Sequence, residues 1–230
     1  MSDKTCYACE KAASTVEHCP PISFFPVGQR EQLLTVASCP QHNNDNSKDV
    51  EYTRNVLTTL WGVNESGLEL FGGKVRRSLD RSPALLNMTF GTMQTVFHEG
   101  QMTGAFRIDV DRLKNVFEAC ARAIHYNDTG QKHPDWGIVM PQLQFESDVS
   151  EVGREIHSRA VGALRSIHFE PKRVSNPRVF EYAVAVLEGN CVYVFSFYRA
   201  FVVYALPLPV EVATQIASLQ AGSSEQKANG

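Results

Sequence analysis

Two closely spaced pairs of metal-binding side chains near the N-terminus constrain the fold of this chain more than any other feature. Cys6 and Cys9 form a Cys-x2-Cys pair, and after 29 intervening residues Cys39 and His42 form a Cys-x2-His pair. A two-residue spacing lets a tight turn direct two ligands at one ion, and three cysteines with one histidine suit tetrahedral Zn2+. We therefore predict a structural zinc site. The alternatives are unrelated buried thiols with a surface histidine, or a zinc ribbon without chemistry of its own.

Composition supports a folded body behind this segment. The chain has 230 residues, of which 43% are hydrophobic and 20% charged, so it can bury a substantial core. Residues 1–48 are rich in Cys, Pro, Asn and Ser and show little apolar periodicity, as expected of a segment that a metal holds together. We predict a zinc-bound head over residues 1–62, an α+β body over 63–220 and a flexible tail over 221–230.

Apolar periodicity predicts the main elements of the body. A helix is expected to begin at a cap on Asp49, and Gly72-Gly73 is expected to break the chain. The strongest helical pattern covers residues 109–130. Residues 178–208 alternate β-branched and aromatic side chains around a turn at 188–190, which predicts an antiparallel sheet, and a short strand is expected at 138–140.

The sequence shows neither a membrane-spanning segment nor a signal peptide, which bears on the expected localisation. It contains no apolar run of the roughly 20 residues that span a bilayer, and charged residues occupy the N-terminus where a signal peptide needs an apolar core. Six cysteines are too few for a disulfide scaffold, and we expect Cys19, the early cysteine outside the two pairs, to pack in the core. A cytoplasmic protein without membrane partners is predicted.

The residues between and after the two pairs carry a more specific pattern. Glu17-His18 is followed by Pro20-Pro21, and His42 is followed at once by Asn43. The order CxxC, Glu-His, CxxH-Asn resembles the zinc-stapled bacterial branch of the HNH, or ββα-metal, endonucleases. The resemblance covers residues 6 to 57, about a quarter of the chain. It implies a head in which the acidic-His pair ends a strand and the Asn begins the following helix.

This resemblance implies a division of roles. Zinc on the two pairs would be structural, His18 would be the general base, and Glu17 with Asn43 would hold a catalytic Mg2+ or Mn2+. The chemistry is consistent, because phosphodiester hydrolysis needs a base that titrates near neutrality and a hard cation with oxygen ligands. The fuller family pattern has a second imidazole or a Lys three residues after the Asn, where this chain has Asn46.

Charge limits how the head could bind a substrate. The implied partner is nucleic acid, with DNA favoured, yet residues 1–60 contain five Lys or Arg against seven Asp or Glu. Phosphate neutralisation supplies most of the affinity for DNA, so we expect the head alone to bind weakly. The basic segment at 74–81 could supply further contacts or could be one solvated face of a helix; its basic residues are Lys74, Arg76, Arg77 and Arg81.

A second functional hypothesis is a catalytically degenerate HNH-like module that binds nucleic acid or protein without cutting it. The non-basic head and the missing second imidazole favour this alternative, whereas the intact Glu17-His18 and Asn43 favour the enzyme. In either case the body is expected to carry specificity, a homo-oligomer contact or a protein partner, and a bacterial defence system is one setting in which such heads occur.

Overall fold

A computed structural model describes residues 4–44, 46–98, 100–143 and 150–209 as a mixed α+β structure with antiparallel sheets, as the sequence predicts. The predicted tail at 221–230 lies outside the described residues. The strands are β1 Thr15–His18, β2 Thr35–Ser38, β3 Gln94–His98, β4 Gln101–Ala105, β5 Trp136–Val139, β6 Glu170–Pro171, β7 Phe180–Leu187, β8 Asn190–Phe197 and β9 Phe201–Pro207. The α-helices are α1 Pro40–Asn44, α2 Ser47–Leu57, α3 Glu65–Leu70, α4 Arg76–Arg81, α5 Pro83–Phe90, α6 Val110–Thr129 and α7 Glu151–Arg165.

The N-terminal part consists of the β1–β2 hairpin followed by α1 and α2. The two strands are antiparallel, and Glu17 lies opposite Val36. Helix α2 begins at Ser47, with Asn46 rather than Asp49 at the cap position. Asp49 is instead in the first helical turn, where its negative charge is favourable because the helix dipole is positive at this end. The expected cap position is therefore wrong by three residues.

The glycine pair does not break the chain, contrary to the sequence-based expectation. Helices α3 and α4 are joined by a π-helical turn at Phe71–Val75 that contains Gly72 and Gly73. Leu70, Val75 and Leu79 from this continuous stretch are buried, with at most 6% exposure. Burial of one apolar face holds the segment helical despite the low intrinsic propensity of glycine.

The predicted long helix and the C-terminal sheet are both confirmed. Helix α6 begins after an Asp109 cap and ends at Gly130, which adopts the left-handed conformation that ends many helices. The sheet has the order β5-β9-β8-β7-β6 with antiparallel neighbours. Phe117 of α6 packs against Phe197 and Phe201 on one face of this sheet, and Leu164 of α7 packs near Val192 on the other.

The N-terminal segment and the body share one buried cluster rather than two separate cores. Tyr198 donates a hydrogen bond to the carbonyl of Phe24 at 2.6 Å, and both residues are almost fully buried. Lys132 donates to the Cys9 carbonyl at 2.8 Å and to Glu10 Oε1 at 2.9 Å. The division at residue 62 stays a prediction, but the head is supported by extensive packing from the body.

None of the described helices is both long enough and apolar enough to cross a membrane.

Candidate zinc centre and adjoining cavity

The four predicted zinc ligands converge. The ligand atoms of Cys6, Cys9, Cys39 and His42 all lie within 4.8 Å of one another. The Cys9 and Cys39 sulfurs are 3.9 Å apart, and His42 Nδ1 lies 3.5 Å from Cys6 Sγ and 3.3 Å from Cys39 Sγ. A tetrahedral Zn2+ site requires about 3.8 Å between two sulfurs and about 3.5 Å between a sulfur and a nitrogen. The cluster is therefore compatible with a zinc ion.

Local backbone geometry sets the ligand positions. The Cys6 amide donates to the Lys11 carbonyl at 2.9 Å, which closes the turn, and the Ala8 amide donates to Cys6 Sγ at 3.5 Å. The backbone amide of His42 and its ring both lower the pKa of Cys39, to about 6. A lowered thiol pKa favours the thiolate, which is the form that binds zinc. The fourth early cysteine, Cys19, is buried and donates to the Cys120 carbonyl at 3.4 Å, so it packs as expected.

Glu17, His18 and Asn43 border one open cavity beside this cluster. The cavity has a volume of about 430 Å³. Glu17 and His18 end β1, and Asn43 immediately follows the zinc ligand His42 in α1. Asn43 thus lies in the short helix before α2 and does not begin α2, which differs from the placement that the resemblance implies. The three predicted catalytic residues nevertheless share one solvent-open space.

One face of α2 forms a second wall of the cavity. Its members follow the helical spacing i, i+3, i+4, i+7, and they are Ser47, Val50, Glu51 and Arg54. Arg54 was absent from the sequence-based set of site residues, although its position seven residues after Ser47 places it on this face. Asn46 also borders the cavity, and its side chain does not cap α2.

Several buried polar atoms around the cavity have no hydrogen-bond partner. Of six residues with such atoms among those that the structure describes, three border this cavity, through Glu17 Oε2, Ser23 Oγ and Arg54 Nε. Burial also raises the pKa of Glu17 to about 7. Buried polar groups in proteins are normally satisfied, so this concentration indicates a place where a ligand, an ion or water completes the structure.

Replacement of Glu17 by glutamine is expected to stabilise the protein at pH 8 in the absence of Mg2+. The ionised carboxylate is disfavoured in the fold, because its pKa rises from 4.5 to about 7. The penalty is absent at pH values below the ordinary pKa, grows as the pH rises between the two values, and is complete above the folded-state value. Removing it is expected to add about 1 to 2 kcal/mol, after allowing for solvent screening.

Urea denaturation of the zinc-loaded protein at pH 8 measures this effect, with the exposed Glu31→Gln as the matched control. Equal stability of Glu17→Gln and the parent would show that the carboxylate remains solvated. The stabilisation is also expected to fade as the pH falls toward 4.5, the ordinary pKa of the side chain.

The four basic residues singled out at 74–81 occupy different places. Lys74 borders the cavity with Glu17 and Arg54. Arg81 borders a neighbouring hollow of about 600 Å³, together with Lys48 and Arg112, and Glu51 lines both this hollow and the cavity. Arg76 and Arg77 are exposed on α4 and are not among the residues that line the cavity. The predicted basic segment is thus not one continuous contact surface.

Comparisons with known proteins do not identify a relative: no family model matches the chain, and no significant match is found among the curated proteins or the solved structures.

Proposed function

We propose that this protein is a metal-dependent endonuclease of the HNH type that hydrolyses phosphodiester bonds in DNA. The observation that carries the proposal is the convergence of Glu17, His18 and Asn43 on one open cavity beside a zinc-compatible cluster. The β1–β2 hairpin followed by helices supports the same reading, because it has the element order of a ββα-metal head.

The residues of the cavity fit a hard catalytic cation. Glu17 Oε2 is buried without a hydrogen-bond partner, and the side chain of Asn43 adds an amide oxygen. Oxygen ligands and an open side that leaves room for water are what Mg2+ and Mn2+ prefer, whereas the thiolates of the neighbouring cluster select zinc. When bound, such a cation would neutralise charge on the phosphate and on the leaving oxygen.

The protein supplies the base and the orientation. An imidazole nitrogen of His18 accepts a proton from a water molecule as the water oxygen forms a bond to phosphorus. The bond between phosphorus and the leaving oxygen breaks, and the electron pair goes to that oxygen. Glu17 and Asn43 would hold the cation, and the zinc cluster would fix helix α1, which carries Asn43.

Metal dependence tests this proposal. The zinc-loaded parent is expected to cut supercoiled plasmid when Mg2+ or Mn2+ is added and to leave it intact without either. Glu17→Gln is expected to lose cutting at every Mg2+ concentration while it retains zinc. A parent that binds plasmid but cannot cut it under any of these conditions would favour the degenerate binding module instead.

A further inference from the structure

Arg54 is a buried cation with an unused hydrogen-bond donor. Its side chain is only 3% exposed, and its Nη2 donates to Glu51 Oε1 at 3.2 Å and to Asn55 Oδ1 at 3.0 Å. Its Nε has no partner, although the residue lines the cavity. Two anchored contacts fix the guanidinium in one position, and a buried N–H without an acceptor is costly. This arrangement is suited to an anionic ligand.

Lys74 brings a second positive charge to the same cavity. It borders the cavity from the π-helical turn and is an exposed residue, whose pKa is lowered by partial desolvation and by the charges of Arg54 and Arg30. Two carboxylates line the cavity: Glu51 already pairs with Arg54, and Glu17 belongs to the predicted catalytic residues. With Glu17 assigned to the catalytic cation, Glu51 alone balances Arg54 and Lys74, which together form the basic wall of the cavity, and an anion would compensate the remaining positive charge.

Arg54 lies well along α2 from the end of that helix that is nearer to Asn43 in the sequence. Asn43 precedes α2, whereas Arg54 is seven residues beyond Ser47, about 10 Å along the helix axis. This axial offset favours contact with a different phosphate from the one that Asn43 would hold. It suits a neighbouring phosphate of the same bound strand.

Resting on the proposed function, we propose that Arg54 and Lys74 bind a backbone phosphate of DNA that flanks the phosphate being cut. Arg54 supplies a planar, fixed donor and Lys74 a mobile point charge, a combination that holds phosphate oxygens without reading sequence. Both are positioning residues, because they act on a phosphate that does not react. Their loss weakens binding of the DNA and leaves the chemical step in place.

Binding of a short DNA duplex, measured by fluorescence anisotropy in Ca2+ without Mg2+, tests this assignment. Lys74→Ala is expected to weaken binding by about 5- to 10-fold near 0.1 M salt and to lower the salt slope by about one. Arg54→Lys is expected to weaken binding as well, because the lysine lacks the planar fork. The exposed Lys172→Ala, which removes the same charge outside the cavity, is the matched control and is expected to match the parent.

Because Arg54 is buried, its variant is compared with the parent by circular dichroism and zinc content, and Lys74→Ala carries the test if Arg54→Lys does not fold. In Mg2+ we expect Lys74→Ala to raise KM with kcat nearly unchanged. Parent-like affinity and salt slope in Lys74→Ala, or a parent that does not bind the duplex, would overturn the assignment. Cutting with an unaffected Lys74→Ala refutes this inference alone. Salt-sensitive binding through Lys74 without cutting refutes the proposed nuclease and leaves only the phosphate contact of Lys74.

Discussion

Replacement of Cys39 by serine is expected to abolish zinc binding and to unfold the N-terminal segment. Cys39 is 2% exposed, belongs to the main buried cluster and supplies the thiolate nearest to His42. Structural zinc contributes about 10–16 kcal/mol of folding free energy in zinc-finger peptides, comparable with the roughly 5–15 kcal/mol by which a whole domain is stable. The free energy lost with one zinc ligand is therefore expected to exceed the folding stability of the N-terminal segment.

Elemental analysis and circular dichroism check this prediction. The parent is expected to carry about one Zn2+ per chain, as a single tetrahedral site requires, and Cys39→Ser almost none. The matched control is Cys191→Ser, a half-buried thiol of β8 outside the cluster. If Cys39→Ser kept its zinc and its fold, the four-ligand site would be refuted. Chelation of the parent is expected to reproduce the effect of the substitution.

Replacement of His18 by alanine is expected to lower the DNA cleavage rate by about 10²- to 10⁴-fold, the usual contribution of a general base. His18 ends β1 at the border of the cavity and is half-buried, so its truncation removes little packing. Zinc content and thermal stability are expected to stay close to those of the parent. The loss should appear in kcat, because the base acts in the transition state.

The control for this variant is His168→Ala, an exposed histidine outside the cavity, which is expected to cut at the parent's rate. A His18→Ala protein that keeps its zinc but loses affinity for DNA, with kcat unchanged, would assign His18 to binding. That result would also move the general base to another group.

Local patterns in the sequence predict the zinc cluster, α6 and the C-terminal strands well. The two-residue spacing of Cys6 and Cys9 encodes a knuckle directly, and the apolar stripe of α6 lies between an Asp cap and a Gly stop. Strand alternation at Phe180–Leu187 and the Gly189 turn, with φ of +82°, specify a hairpin in the same local way.

Features that depend on tertiary packing are not predicted by local sequence patterns. Gly72 and Gly73 read as a break, but the buried Val75 and Leu79 keep the segment helical. Helix α7 and the β3–β4 hairpin were not predicted. The hairpin exposes Phe97 by 74%, so its apolar pattern does not mark a core-facing side of the strand.

The residues of the candidate site also divide into those that local sequence patterns predict and those that only tertiary packing brings together. Glu17-His18 and Asn43 are recognised from the order of residues, because each adjoins a strand end or a zinc ligand. Arg54 and Lys74 border one cavity only after α2 and the π-helical turn have packed, because Lys74 lies 20 positions after Arg54 in the sequence. The count of charged residues in the head therefore does not predict the basic wall, since Lys74, one of its two residues, belongs to the body.

Nicking of supercoiled plasmid by zinc-loaded parent and His18→Ala protein, assayed side by side in Mg2+, tests the central claim most directly. The account predicts Mg2+-dependent cutting by the parent and cutting near background by His18→Ala at equal zinc content. A parent that does not cut, or equal cutting by the two proteins, would contradict it.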